Sequence, residues 1–448
     1  MIDSCEQLFS LEDVCMVEHV VVKRKIEPVL RRALGTFRVV VLQGPRQSGK
    51  TTLARRMVGG GTFLSLDEPT LLALALDDPV GFLHDRPRPV VIDEVQRGGD
   101  ELVRAVKLAV DSDPSSGAFL LTGSTSFLTV PVLSESLAGR AVFFELAPFS
   151  QVEIEDTADG LLKRLLSMTH EDHAGLPRTP KIELTRNQYA QRVCRGGYPE
   201  AVGLNNTDRW LWFNSYVHTT VTRDIVELTG ARRYTELPRL LRAAAARTSS
   251  ELIKQELHRD LEFGSIDTTN DYLSYLEMTY LIALLPGWAT GTATRAKRRA
   301  KLHVTDTGLA TAILGVTAES LNTPESATRG PLFESFVVNE LRRQASALTT
   351  GLRFYHYHDS RGREIDLLIE RPDGRIIAVE VKASLTVRPA DAKWLVWLRD
   401  LIGDRFDTGL ILHAGSHRLK PSDRILALPL SCLWQPQPFQ GVADCPLQ

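Results

Sequence analysis

The chain has 448 residues, more than one hydrophobic core normally supports, and this length predicts two to four domains. Apolar residues make up 43% and charged residues 24%, a balance that excludes a disordered or fibrous protein. Because the net charge is −2, the molecule as a whole does not attract nucleic acid, and any such contact requires a local basic patch.

Five cysteines (Cys5, Cys15, Cys194, Cys432 and Cys445) are scattered without a CxxC pair, which predicts reduced thiols instead of disulfides or a zinc site. The acidic N-terminal segment lacks an apolar stretch, and no run of about 18 apolar residues occurs anywhere. We therefore expect a cytoplasmic protein with neither a signal peptide nor a membrane span.

From Phe37 onward, short apolar runs alternate with helical stretches. The runs are FRVVVL, PVVIDEV at 89–95 and AFLLTGS at 118–124. Continuous apolar strands separated by helices predict an α/β fold with a parallel sheet covered on both faces.

A phosphate-binding loop follows the first of these strands. Residues 44–51 are GPRQSGKT, which matches G-x-x-x-x-G-K-[ST] between a strand and a helix. The loop's backbone N–H groups would bind the phosphates of ATP, Lys50 would reach the β- and γ-phosphates, and Thr51 would ligate Mg²⁺. The predicted nucleotide-binding residues are Gly44, Pro45, Arg46, Gln47, Ser48, Gly49, Lys50, Thr51 and Thr52.

Two further strands end in polar residues at the edge of the sheet where ligands bind. In VVIDEVQ, we expect Asp93 to hold the Mg²⁺ shell and Glu94 to polarise the attacking water. In LLTGS, Ser124 or Thr122 would sense the γ-phosphate, although such residues are also ordinary at strand ends.

The order of seven short motifs resembles a family of bacterial and archaeal AAA-type ATPases, in which an AAA_14 domain is fused to a DUF4143 region. They are GPRQSGKT, LSLDEP (64–69), VVIDEVQ, LTGS, ESLAGR (135–140), GGYPE (196–200) and RDI (223–225). The resemblance implies that Asp93 and Glu94 form the Walker B pair, that Ser124 is the sensor-1 residue and that Arg140 is an arginine-finger candidate. From the residues alone, an arginine such as Arg140 is more often a surface residue, and as a finger it could act in cis or on a neighbouring subunit. Arg223 could contact nucleotide or pair with Asp224.

Residues 237–288 predict three short helices, with Ser250 as an expected N-cap of the second, followed by the basic run TRAKRRAK at 294–301. This pattern resembles a winged helix-turn-helix. The third helix would then present Thr268, Thr269, Asn270 and Tyr272 to DNA, and the wing would present Arg295, Lys297, Arg298, Arg299 and Lys301 to phosphates. Winged helices also contact proteins, and a basic run can be a solvated face.

The C-terminal part predicts a helix containing Glu334 and two strands, 364–370 and 375–383, joined across Asp-Gly. Strand alternation places Glu380 and Lys382 on one face, where the hairpin can add Asp366. These residues resemble the PD-(D/E)xK nuclease core, with Glu334, Asp366 and Glu380 as Mg²⁺ ligands and Asp366, Glu380 and Lys382 as catalytic residues. The resemblance is imperfect, because Ile365 stands where the family has proline.

The resulting architecture is an AAA-type P-loop domain (1–165), a linker and helical lid (166–232), a winged-helix-like module (233–316) and a restriction-endonuclease-like α/β domain (325–448), with the DUF4143 region at roughly 200–390. Three functions remain open. They are ATP-coupled DNA processing, a nucleotide-switched DNA-binding or regulatory protein with a silent nuclease-like domain, and a protein remodeller. ATP and Mg²⁺ are the expected cofactors, DNA a possible partner, and a homo-oligomer a possible assembly.

Overall fold

The computed structural model describes residues 22–124, 137–167, 183–220, 236–295 and 298–435. Arg223, Asp224 and Lys297, which have predicted roles, lie outside these ranges.

The N-terminal sheet consists of β1 (Val39–Gln43), β2 (Thr62–Ser65), β3 (Val90–Asp93), β4 (Phe119–Gly123) and β5 (Ala141–Glu145). The strands are all parallel, in the order β2-β3-β4-β1-β5. Every residue of β1, β3 and β4 is buried, as expected for apolar strands covered on both faces. The predicted parallel α/β sheet is therefore confirmed.

Among the described residues, the helices that accompany this sheet are α1 (Glu27–Leu34), α2 (Lys50–Met57), α3 (Pro69–Asp77), α4 (Pro79–Leu83) and α5 (Gly99–Ser112). In α5 the buried residues Leu102, Val106 and Val110 recur at intervals of four, so one stripe of the helix faces the core. The helix thereby shields the strands that carry the predicted Walker B residues.

The next segment is helical, with α6 (Gln151–Ile154), α7 (Leu161–Ser167), α8 (Arg186–Arg195), α9 (Pro199–Val202) and α10 (Asn206–Thr219). Reciprocal capping boxes start two of these helices. Ser150 and Glu153 cap α6, and Thr185 and Gln188 cap α8. These local hydrogen bonds fix where the helices begin.

The middle of the chain contains α11 (Leu237–Ala246), β6 (Ser250–Glu251), α12 (Lys254–Leu261), α13 (Ile266–Met278), β7 (Ile282–Leu285), α14 (Thr292–Arg295) and β8 (Lys301–Val304). The strands form an antiparallel sheet in the order β6-β8-β7. The prediction that Ser250 caps a helix is wrong: Ser250 pairs with Leu302 in this sheet, and the helix begins four residues later.

The C-terminal part contains α15 (Thr307–Leu314), α16 (Ala318–Asn322), α17 (Arg329–Ser346), β9 (Arg353–His358), β10 (Glu364–Glu370), β11 (Ile376–Lys382), α18 (Lys393–Ile402), β12 (Phe406–His413), β13 (Leu419–Ser422) and β14 (Ile425–Pro429). Its mixed sheet has the order β13-β14-β12-β11-β10-β9. The predicted hairpin is present as the antiparallel pair of β10 and β11. In its turn, the N–H of Gly374 donates to the carbonyl of Arg371 at 2.9 Å.

These parts meet at Asp306, whose side chain is fully buried. Its carboxylate accepts from the N–H of Leu309 at 3.1 Å, which caps α15, and from the N–H of Gly197 at 2.8 Å. It also pairs with Arg343 of α17 at 3.0 Å. A side chain at Gly196 would meet this carboxylate, since a Cβ there would lie 2.2 Å from its Oδ1. The glycines of GGYPE therefore permit a close approach.

Among the described residues, no helix combines the length and apolar character needed to cross a membrane.

We expect Asp306→Ala to lower the local free energy of unfolding by about 3–5 kcal/mol, because it leaves the Arg343 guanidinium buried without its partner. Native-state hydrogen exchange of the amides in α15 and α17 measures this loss. The matched control is Asp260→Ala, which removes a half-exposed pair with Arg247 and should cost no more than about 1 kcal/mol. Equal losses in the two variants would contradict the role given to Asp306.

Candidate functional site

The P-loop lies between β1 and α2, at the carboxyl edge of the parallel sheet. Gly44 has φ 153°, and a Cβ there would lie 2.4 Å from the carbonyl oxygen of Leu146. Gly49 has φ 93°. Both positions therefore favour glycine on backbone grounds. Of the other residues predicted to bind nucleotide, Arg46, Gln47 and Thr52 are exposed, whereas Pro45 and Ser48 are buried.

Lys50 is buried, with 4% exposure. Its ammonium donates to the carbonyl oxygens of Gly44 at 3.0 Å and Pro45 at 2.8 Å. Burial lowers the pKa of Lys50 to about 8, although Glu94 and Asp93 act in the opposite direction. The lysine is thus held inside its own loop, close to the backbone groups that would surround a phosphate.

Thr51 and Asp93 are in direct contact, because the Thr51 hydroxyl donates to the carboxylate at 3.0 and 3.1 Å. Asp93 is 1% exposed and also accepts from the hydroxyls of Thr122 and Ser65. Burial raises the pKa of Asp93. An alcohol and a carboxylate suit Mg²⁺, which keeps several waters and takes few protein ligands beside substrate phosphates. The chemistry of these two residues therefore fits the metal expected here.

Glu94 and Ser124 lie on neighbouring strand ends. The Ser124 hydroxyl donates to Glu94 Oε2 at 3.0 Å, and Gln96 also donates to this oxygen. Glu94 has φ 54°, in the left-handed region, and its N–H donates to Thr122 Oγ1 at 3.2 Å. The structure thus brings the predicted Walker B and sensor side chains together.

Arg140 lies away from these contacts. Its guanidinium pairs with Asp111 of α5 through Nε at 2.6 Å and Nη2 at 3.0 Å. This pair is partly exposed. The same guanidinium donates to the carbonyl of Ala138 at 3.3 Å, and the role of Arg140 as an arginine finger stays a prediction.

The helical segment touches the P-loop directly. The Tyr216 hydroxyl donates to the carbonyl of Arg46 at 3.4 Å and bonds to the Tyr198 hydroxyl at 3.1 Å. Tyr198 belongs to GGYPE, which also meets Asp306 through Gly197. A continuous set of contacts therefore runs from the P-loop to the junction with α17.

A second site lies on the C-terminal sheet and is called here the acidic pocket. It has a volume of about 440 Å³. The charged residues that line it are Glu334 of α17, Glu364 and Asp366 of β10, Glu380 and Lys382 of β11, and Asp391. Lys301 of β8 contacts three of these carboxylates, those of Glu334, Glu364 and Asp366. The predicted residues Glu334, Asp366, Glu380 and Lys382 are thus brought together.

Contacts within the acidic pocket pair each lysine with carboxylates. Lys382 Nζ donates to Glu380 Oε1 at 2.7 Å. The Val381 N–H donates to Asp366 Oδ2 at 2.8 Å. Burial, followed by repulsion from Asp366, raises the pKa of Glu380 to about 8. Glu380 Oε2 is buried and has no hydrogen-bond partner.

The expected Mg²⁺ site does not fit this arrangement. Among the described residues, no group of three His, Cys, Asp or Glu side chains is placed to hold a metal ion. Glu334 and Asp366 instead face the ammonium of Lys301, at 2.7 and 3.7 Å. Glu334, Asp366 and Glu380 therefore share a pocket without forming a metal-ligand set.

The predicted DNA-contacting residues of the wing are largely engaged within the protein. Arg295 binds Glu370 at 2.7 and 3.0 Å, and Arg298 donates to the carbonyl of His358 at 2.8 Å. The expectation that Lys301 faces phosphates is wrong, because its side chain is 2% exposed. Arg299 is exposed.

The predicted recognition helix, α13, presents a different face from the one expected. Thr269 is fully buried against His258 and Tyr272 is also buried, because helical spacing places them on the core side with Leu273. Thr268 and Asn270 are half-buried. The exposed positions of α13 include Asp267, Asp271, Ser274 and Glu277, which do not attract a phosphate backbone.

Three residues that contact the two sites were not predicted in these roles: Lys301 and Glu364 at the acidic pocket, and Tyr216 at the P-loop. Glu364 could have been found, because it alternates with Asp366 along β10 and so shares its face. Lys301 and Tyr216 had no local signal, since their partners are distant in sequence.

Three family models match successive parts of the chain: an AAA domain (AAA_14) at 36–155, the domain of unknown function DUF8612 at 186–320 and the domain of unknown function DUF4143 at 329–433. The last range lies further toward the C terminus than the expected 200–390.

Two mycobacterial proteins are similar over most of the chain. They are the uncharacterized proteins Rv2008c of Mycobacterium tuberculosis and Mb2031c of Mycobacterium bovis. Each is 29% identical over 403 residues, covering 89% of this chain and 82% of the relative.

Several solved structures also resemble the chain. RuvB of Thermotoga maritima is 18% identical, with 59% of this chain and 90% of that chain covered and a TM-score of 0.27. AMPPCP-bound DnaA of Aquifex aeolicus is 12% identical, with 56% and 86% covered and a TM-score of 0.28. Drosophila ORC bound to DNA is 14% identical, with 70% and 97% covered and a TM-score of 0.21.

The parallel sheet with its P-loop agrees with the AAA match, and the mixed C-terminal sheet occupies the DUF4143 match. An AAA_14 match followed by a DUF4143 match is the architecture that the sequence motifs predict.

Proposed function

We propose that this protein binds and hydrolyses MgATP, and that its nucleotide state controls the position of its C-terminal half. The observation that carries the proposal is the contact between Thr51 and Asp93 beside the Glu94–Ser124 pair. Thr51 and Asp93 supply the oxygen atoms that would hold Mg²⁺, and Glu94 supplies the carboxylate that would orient the attacking water next to the P-loop.

Lys50 would change partners when nucleotide binds. Its ammonium now satisfies two carbonyls of the loop, and a phosphate offers it a stronger, charged acceptor. Moving the lysine frees Gly44 and Pro45, so the loop itself would be rearranged by binding. Mg²⁺, held by Thr51 with Asp93 in its shell, would neutralise the charge that develops on the phosphates.

Glu94 would orient the attacking water, and Ser124 would hold the carboxylate in place through the hydrogen bond already present. Arg140 could assist from a neighbouring subunit only after leaving Asp111.

The contacts between the P-loop and the helical segment support the proposal that nucleotide state controls the position of the C-terminal half. A rearranged loop would shift the carbonyl of Arg46, which Tyr216 now binds. Tyr216 contacts Tyr198, and the adjoining Gly197 binds Asp306, the partner of Arg343. Each of these contacts is short-range, so a displacement at the P-loop would be passed on by packing.

We further propose that the middle module is a winged helix that contacts protein. The order of its helices and antiparallel strands supports the fold. The acidic exposed face of α13 and the pairing of Arg295 with Glu370 favour protein contact over DNA. Among the described basic residues of the run at 294–301, Arg299 alone is exposed.

DNA cleavage at the acidic pocket is the second candidate function. The convergence of Asp366, Glu380 and Lys382 at one pocket favours it. The buried ammonium of Lys301 among the same carboxylates opposes it.

We expect Lys50→Ala to weaken ATP binding by at least about tenfold, since a charge-assisted contact worth at least about 1.4 kcal/mol is lost.

In the wild type, Lys50 has a pKa of about 8 and must therefore take up a proton to bind phosphate at higher pH. Affinity should therefore fall above pH 8, by up to about tenfold per pH unit. Calorimetric titration between neutral and alkaline pH measures both effects. Lys163→Ala, on the surface, is the control, and an unchanged affinity in Lys50→Ala would refute the assignment.

Glu94→Gln should bind MgATP within about threefold of wild type but hydrolyse it about 10²–10⁴-fold more slowly, because it removes the base while leaving Asp93 and Thr51 intact. Steady-state phosphate release and nucleotide titration separate these quantities. Glu101→Gln, at an exposed pair on α5, is the matched control. Equal losses of affinity and turnover would argue against this division of roles.

A plasmid-nicking assay with Mg²⁺ or Mn²⁺, with and without ATP, tests the second candidate. We expect wild type and Asp366→Ala to behave alike, because Lys301 already neutralises the carboxylates that a metal would need. Asp373→Ala, in the exposed turn of the same hairpin, is the control. Metal-dependent nicking that disappears only in Asp366→Ala would establish cleavage.

A further inference from the structure

Lys301 is one of the most buried charged residues in the described part of the chain. It lies on β8, a strand of the middle module, and its side chain is 2% exposed. Its ammonium contacts carboxylates of the C-terminal part that line the acidic pocket. A buried charge is costly unless it is paired, so this placement must be sustained by its partners.

The partners are three carboxylates of the C-terminal part. Lys301 Nζ lies 2.7 Å from Glu334 Oε1, 2.8 Å from Glu364 Oε1 and 3.7 Å from Asp366 Oδ1. These oxygens come from a helix and a strand, and the ammonium stands between them. Together the three carboxylates outweigh the effect of burial and raise the pKa of Lys301, which stays protonated.

A divalent cation in this pocket would need the same oxygens. Mg²⁺ binds oxygen at about 2.0–2.1 Å and requires a nearly octahedral set, which leaves no room for an ammonium among its ligands. An ammonium and a metal ion that shared these carboxylates would also repel each other strongly, because the site is buried. Lys301 and a metal ion bound by Glu334 and Asp366 are therefore mutually exclusive.

We propose that Lys301 is the resident cation of the acidic pocket, supplied by the middle module, and that it excludes divalent metal while β8 is docked. The corollary is that removing Lys301 frees Glu334 and Asp366 to move and, with Glu380, whose Oε2 is buried without a partner, to close around a metal that they do not hold in their present positions. This role of Lys301 is independent of nucleotide hydrolysis at the P-loop.

The test is Mn²⁺ binding to nucleotide-free, full-length protein, followed by electron paramagnetic resonance. Lys301→Met keeps much of the side-chain length and removes the charge. We expect it to gain one Mn²⁺ site, bound roughly tenfold or more tighter than any site in wild type. Lys301→Arg, which keeps the charge, should gain none. The double variant Lys301→Met with Asp366→Asn should lose the gained site.

Wild type that binds Mn²⁺ in this pocket as tightly as Lys301→Met would overturn the proposal, and so would a variant that gains no site. If Lys301→Met fails to fold, lysine acetylation of wild type, read by mass spectrometry, decides the question. Under the proposal Lys301 stays protected with or without millimolar Mn²⁺, whereas exposed Lys163 reacts in both. A Lys301 that becomes reactive only in Mn²⁺ would show that metal displaces it, and the proposal would fail.

Discussion

The buried carboxylate of Asp306 makes the contacts that hold together the helical segment, α15 and α17 in the described part of the chain. It caps α15, receives the N–H of Gly197 and pairs with Arg343 of α17, so three segments share one side chain. Arg343 also donates to the carbonyls of Phe149 and Thr305, at 2.9 and 2.8 Å. Because the same charge satisfies several buried donors, none of these segments can move independently. One small polar cluster thereby joins the GGYPE segment, α15 and α17.

What could be predicted from sequence was local. The P-loop and the hairpin of β10 and β11 are each specified by a few neighbouring residues whose backbone conformation allows little choice. Asp93 and Glu94 follow from their position at a strand end. By contrast, nothing near Lys301 indicates Glu334, Glu364 or Asp366, because each lies at least 33 residues away. Sequence periodicity identifies the face of an element but not the element that covers it.

The basic run at 294–301 illustrates this limit. A cluster of arginines and lysines is equally suited to external phosphates and to carboxylates of the same chain. Here Arg295 lies over the rings of Trp288 and Tyr355 and pairs with Glu370, so its charge is used to join the middle module to the C-terminal sheet. The nearly neutral net charge is consistent with such internal pairing. The prediction for helix α13 was wrong for a related reason, since Thr269 and Tyr272 face inward and the acidic residues face outward.

Helix α17 carries Glu334 near its start and Arg343 near its end. Nine residues of α-helix advance about 13.5 Å and turn by two and a half revolutions, so the two side chains leave from opposite sides. One faces the acidic pocket and the other the Asp306 cluster. Inserting or deleting a single residue between them would rotate one side chain by about 100° relative to the other and break one contact. Substitutions can accumulate along this stretch during evolution, but its length cannot drift, and homologous chains that keep both contacts must align through it without a gap.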